Sequence, residues 1–245
     1  MKYNITFLAL FLVNGAFSQN YHRSWTIQKN SKKERIALII ANNHYESKGS
    51  LLHPIPTSIQ LETTLKSMGF DVLVGRDLNR KQMRSILNDF SKKYKNYQFA
   101  MVSYMGHGFE IDGKNYLIPV DANPNSKDEV ANEALDVEYI LKKVNNPNIP
   151  KLIIFDACRN NPFVKNWTSS ERAGIKNGFT DINAPKNATI YFTTQKNSTV
   201  LDDNPFMNYF MEAIEEGGCF DNIKRTVYKR VQEYNQNLYV LHRYI

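Results

Sequence analysis

Apolar positions along the chain follow two rhythms. Continuous apolar runs of strand length occur at Arg35–Ala41 and over 70–74, 99–105, 151–155 and 188–193. Runs without alternation suit strands buried on both faces of a parallel sheet. Between them apolar residues recur at helical spacing. Ile59, Leu61, Leu65 and Met68 follow Thr57, with Gly69 closing the helix; Met83, Ile86, Leu87 and Phe90 share one face over 78–94. Further helices are expected over 134–144, from Pro205 (Phe206, Tyr209, Phe210, Ile214) and over 221–234 with Asp221 as N-cap. Asp112-Gly113 between Phe109-Glu110-Ile111 and Tyr116-Leu117-Ile118 predicts a hairpin. Residues 42–56 read as a turn-rich loop, 160–186 as a long polar loop or linker, and 238–240 as a short edge strand. Alternation this regular predicts an α/β fold, a mostly parallel central sheet with helices on both faces.

Composition narrows the class. With 42% hydrophobic and 12% aromatic residues in 245, the chain is ordinary globular material and not a disordered one. Two cysteines, Cys158 and Cys219, exclude a disulfide-dense scaffold and any all-cysteine zinc site. Residues 1–19 combine Lys2, an apolar run and small residues before a cleavage point, which predicts a signal peptide and a secreted or periplasmic location. That run is too short to span a bilayer, so stable membrane insertion after signal removal is not expected. Residues 20–33 read as a polar leader. The formal net charge is +7, but Lys and Arg are scattered as solvated faces, and no nucleic-acid module is evident.

The candidate chemistry sits at two strand ends. In open α/β sheets ligands bind beyond the carboxyl ends of the strands. The third strand runs into Gly106-His107-Gly108, and the fourth into Asp156-Ala157-Cys158-Arg159. Parallel strands bring His107 and Cys158 to one rim. A thiol needs a base to become a nucleophilic thiolate, and imidazole both takes and returns a proton at neutral pH. The N–H groups of Gly108 and Cys158 are candidate donors to the oxyanion of a tetrahedral intermediate. His44 and His53 lie near the same rim, where they read as ordinary solvent-facing side chains, and the hairpin accounts for Glu110 and Asp121.

These segments, in order and at this spacing, resemble a caspase-like cysteine peptidase of the metacaspase and paracaspase branch. The resemblance is carried by RIALIIAN from Arg35, by Tyr104-Met105-Gly106-His107-Gly108, by Asn115 to Asp121, and by Ile154 to Arg159, with His107 lying 51 positions before Cys158. Thr193-Thr194-Gln195 and Asn204-Pro205-Phe206 resemble the small-subunit region. The resemblance implies a caspase-like three-layer sandwich over 34–245, with 34–159 like the large subunit, 160–187 a linker and 188–245 like the small subunit. It further implies a protein or peptide substrate, Cys158 as nucleophile, His107 as general base and acid, and a thioester intermediate. Asp156 would bind a basic side chain at the cleavage point, giving selectivity for Arg or Lys.

The chain departs from that pattern at four places. Thr57 and Ser198 stand where further pocket acids are expected, Met105 is large where a small residue is usual and would narrow the cleft, and the last residues lack the usual ending. No cofactor is required; calcium is a possible activator through the metacaspase resemblance, with no ligand loop to read and no metal site expected. Cleavage within the linker, at Arg172 or Lys176, would accompany maturation. The alternative is a catalytically silent caspase-like protein-interaction module. Oligomeric state, natural substrate and host are not legible in the sequence.

Overall fold

The computed structural model describes residues 34–234 apart from 48, 159–162, 165–166, 173–178, 181, 194–204 and 218–219, and gives Cys158 by its backbone alone. Five strands form the parallel part of the sheet in the order β2 (Phe70–Arg76), β1 (Arg35–Ala41), β3 (Phe99–Ile111), β6 (Lys151–Cys158), β7 (Ala188–Phe192). Beyond the reach of β1, the far half of β3 pairs antiparallel with β4 (Lys114–Leu117), which pairs with the short β5 (Leu135–Asp136). The helices among the described residues are α1 (Pro54–Ser67), α2 (Arg80–Lys93), α3 (Val130–Glu133), α4 (Val137–Lys143), α5 (Ser169–Arg172), α6 (Phe206–Glu216) and α7 (Phe220–Tyr234).

Side chains of a strand alternate between faces, so each strand feeds two cores. On β1, Ile36, Leu38 and Ile40 join Met83, Leu87 and Phe90 of α2 and Val137, Ile140 and Leu141 of α4. Ala37, Ile39 and Ala41 join Leu61 and Leu65 of α1, Phe206, Phe210 and Ile214 of α6, and Ile223 and Val227 of α7. Helices therefore cover both faces of a mostly parallel sheet. A third cluster lies under the hairpin, where Phe109, Ile111, Tyr116 and Ile118 pack with Tyr45, Phe163 and Trp167.

Local chemistry sets most boundaries. Asn79 caps α2 by accepting the Gln82 N–H while the Gln82 side chain accepts the Asn79 N–H, a reciprocal capping box. Asp136 caps α4 through the Glu138 N–H. Asp112 and Gly113 have φ of +50° and +76°, the left-handed pair that a two-residue hairpin turn requires.

Several expectations are corrected. Helix α1 starts at Pro54, because prolines are compatible with a first turn whose N–H groups have no helical partner and the Ile55 N–H is taken by Asn43 Oδ1. Ile59 is 52% exposed, so it does not belong to the buried stripe. Strand β3 does not stop at Gly106: pairing with β4 carries it to Ile111, placing His107 inside the strand. The region expected as a helix over 134–144 begins as β5 and turns helical only at Val137. Asp221 lies inside α7, which starts at Phe220. The polar stretch 160–186 buries Phe163, Trp167 and Phe179, and the Trp167 Nε1–H donates to Pro124 O at 2.9 Å. Isolated aromatics leave no periodicity to read. Residues 1–33, the edge strand over 238–240, Lys176, Ser198 and Cys219 lie outside the described residues.

Candidate active site

The carboxyl ends of β1, β2, β3 and β6 form one rim, and buried side-chain amides tie its loops together. Asn42, fully buried just past β1, donates from Nδ2 to Ile118 O at 3.0 Å and accepts the Leu78 N–H at Oδ1 at 3.0 Å. Asp121, offered above only as a hairpin residue, accepts the Arg80 N–H and so anchors the start of α2.

The pairing register places His107 opposite Cys158 on the last rung between β3 and β6. Neighbouring strands lie about 4.8 Å apart, and paired positions belong to the same face of the sheet. His107 is half-buried. Its peptide group is held at both ends: the N–H donates to Tyr45 Oη at 2.7 Å, and the carbonyl accepts the Tyr104 hydroxyl at 2.7 Å and the Ile118 N–H at 3.0 Å. The Tyr45 ring lies 4.5 Å from the imidazole, tilted by 46°.

Backbone polarity along these strands locates the two candidate oxyanion donors. Met105 O accepts the Asn42 N–H and His107 O accepts the Ile118 N–H, so the peptide groups of 105 and 107 face β1 and β4. Alternation turns those of Gly106 and Gly108 toward β6. On β6, Phe155 O accepts the Thr193 N–H from the β7 side, which turns Asp156 and Cys158 toward β3. The Gly108 and Cys158 N–H groups thus face one seam from its two sides. The glycines are tightly enclosed there. A Cβ on Gly106 would meet Tyr45 Oη at 2.6 Å and Tyr104 Oη at 2.8 Å, and one on Gly108 would meet the Phe179 ring at 2.7 Å.

Asp156 pairs in register with Met105, two residues back from the His107–Cys158 rung on the same face. It is half-buried, and its Oδ1 accepts the hydroxyl of the fully buried Thr193. Met105 does not narrow a cleft: it is 1% exposed and packs into the core under α1 and α6. Thr57 sits in the first turn of α1, where its N–H donates to His53 O at 2.9 Å. His53 is exposed and precedes α1.

His44 is more than a solvent-facing side chain. Its Nδ1 lies 2.6 Å from Asp77 Oδ2, and Asp77 Oδ1 accepts the N–H groups of Asn43 at 2.7 Å and His44 at 2.9 Å. Burial alone would raise the Asp77 pKa, but these hydrogen bonds from His44 and Asn43 outweigh it and hold the carboxyl below its ordinary range. Asp77 and Tyr45 have no signal in the sequence, since each acts on a backbone group that only the fold brings near. Among the described residues no three His, Cys, Asp or Glu side chains gather as a metal site, and no helix is long and apolar enough to cross a membrane.

The arrangement matches known proteins along most of its length. The family model for the caspase domain matches residues 34–240. The chain is 29% identical over 129 residues to human mucosa-associated lymphoid tissue lymphoma translocation protein 1, covering 52% of this chain and 15% of that protein. It is 25% identical over 166 residues to rat caspase-1, covering 64% of this chain and 39% of that protein. It is 26% identical over 141 residues to caspase b of Danio rerio, covering 55% of this chain and 33% of that protein. The chain therefore spans well under half the length of these relatives. With a matched region that includes every strand of the sheet and both ends of the His107–Cys158 rung, the chain belongs to the caspase-domain family.

Proposed function

We propose that this protein is a cysteine-type endopeptidase that hydrolyses peptide bonds through His107 and Cys158. The observation that carries this is the pairing of His107 with Cys158 at the carboxyl end of neighbouring parallel strands, in a caspase domain. His107 takes the proton of the Cys158 thiol, and the thiolate attacks the scissile carbonyl carbon. The carbonyl oxygen becomes an oxyanion, and Gly108 and Cys158 supply N–H donors for it. Collapse breaks the C–N bond, with His107 returning its proton to the leaving amine and leaving a thioester on Cys158. A water, deprotonated by His107, then attacks the thioester, and the acid product departs as the thiol is restored.

Because the two N–H groups face the seam between β3 and β6, their service to an oxyanion entails opening the last rung when substrate enters. Asp156 is the candidate partner of an Arg or Lys side chain before the cleaved bond, steadied by the Thr193 hydroxyl. Secretion or export to the periplasm, calcium activation and cleavage of the 160–187 linker belong to the same proposal.

The test is cleavage of a mixed peptide library in reducing buffer, with and without calcium, beside the Cys158→Ala and Asp156→Asn variants. Cleavage after Arg or Lys that vanishes in Cys158→Ala supports the enzyme, and a selective loss for basic peptides in Asp156→Asn supports the pocket. Cleavage after other residues retains the enzyme and discards the basic pocket. No cleavage, even after the linker is cut deliberately, overturns the enzyme in favour of a silent caspase-like interaction module.

A further inference from the structure

The loop leaving β1 is pinned to the rim by one carboxylate. Asp77 stands just past β2 with a left-handed φ of +49°, an unfavourable backbone for a non-glycine residue. That conformation brings its two oxygens onto the Asn43 N–H, the His44 N–H and the His44 ring together. Tyr45 is the next residue. It is 5% exposed, its hydroxyl oxygen accepts the His107 N–H, and its ring lies against the imidazole. On its other side the Glu46 N–H donates to Val120 O at 2.9 Å, so Tyr45 is fixed from both directions. Gly106 completes the fit, since any Cβ there would displace the Tyr45 hydroxyl.

We infer that Tyr45 is a positioning residue that sets the backbone and ring orientation of His107, and that Asp77 is the clamp that presents it. This inference rests on His107 being the proton carrier. A proton carrier must face the thiol in one step and the leaving amine in the next, and misplacement by about an ångström costs on the order of 100-fold in rate. Tyr45 reaches the proposed site through the His107 backbone and ring, so its loss lowers kcat and leaves KM in place.

The test uses the full chain as Tyr45→Phe, Tyr45→Leu and Asp77→Asn, with kcat and KM on a cleaved peptide and the NMR resonance of the His107 Cε1–H, assigned with His107→Gln. Tyr45→Phe keeps the ring and removes the acceptor; kcat falls roughly 10-fold with KM unchanged, and Tyr45→Leu loses about 100-fold. Asp77→Asn follows Tyr45→Phe. In each variant the His107 resonance broadens as the ring samples several orientations, while that of exposed His53 stays sharp. Wild-type kcat in Tyr45→Phe, a change confined to KM, or a sharp unmoved His107 resonance overturns the inference. Should Tyr45→Leu unfold, Tyr45→Phe decides. Should the wild-type protein cleave nothing, the enzyme proposal fails, and the resonance alone still decides whether Tyr45 orders His107.

Discussion

His107 on β3 and Cys158 on β6 form the last paired rung of two parallel strands. Because that rung is part of the sheet, the relative placement of the proposed base and nucleophile is set by strand register and not by loop conformation. Substituting His107→Gln is expected to lower kcat by about 10³-fold while the fold persists. Cys158→Ala leaves only a residual turnover, and the double variant is no slower than Cys158→Ala. Steady-state kinetics with circular dichroism checks this; additive losses in the double variant would show that the two residues do not act as a unit.

Gly108 is confined by three neighbours. A Cβ would stand 2.7 Å from the Phe179 ring and 3.1 Å from both Ala157 Cβ and Tyr116 O. Gly108→Ala is expected to cost about 1–3 kcal/mol and to depress kcat through displacement of the 107–109 backbone. Gly113→Ala is the comparison: its φ is +76°, but nothing lies within 4 Å of the added methyl. It should cost about 1 kcal/mol from backbone strain and leave kcat alone. Thermal unfolding and kinetics on both variants separate crowding from strain.

Met105 packs in the core between the sheet and α1 and α6. Met105→Ala should destabilise by about 2–5 kcal/mol, the ordinary result of emptying a packed site. Turnover of bulky peptides should not improve. An increase in kcat/KM without loss of stability would return Met105 to the wall of the cleft.

Lys151 is a buried cation at the opposite end of β6, with Nζ donating to Asn146 O at 2.9 Å and Lys186 O at 3.0 Å. Burial pushes its pKa down from 10.5 to about 8. Between those values the unfolded chain holds the extra proton, so stability rises as pH increases from about 8 to about 10.5 and is lower below that window. Urea unfolding should show a rise of roughly 1–3 kcal/mol across it, absent from Lys151→Met, in which every other titration is retained. Parallel slopes in the two proteins would refute the assignment.

Hydrophobic periodicity located the elements that bury a continuous face. Arg35–Ala41 is read in the sequence with its observed ends, and Asp112-Gly113 identifies its turn because few residues adopt positive φ. His107 and Cys158 were legible as candidates because each follows an unmistakable core strand and the pair matches a known spacing. Boundaries that depend on a distant partner were not. Strand β3 runs past Gly106 only because β4 returns to pair with it, and Phe163, Trp167 and Phe179 are buried by contacts that leave no period in the chain.

Local and periodic physics, written in the order of residues, determined the strands, most helices, the hairpin turn and the identity of the candidate dyad. Tertiary structure alone decided that His107 and Cys158 share a rung, that Met105 faces the core, that Tyr45 lies against His107, and that Asp77 holds the Asn43–His44 backbone. The reason is reach. A side chain that caps a helix or fills a stripe acts within a few residues of itself, whereas Tyr45 meets a peptide group 62 positions away and Asp77 one 34 positions away. Pairings of that separation leave no mark on composition or spacing, and are settled only when strand register and core packing bring the two segments to the same place.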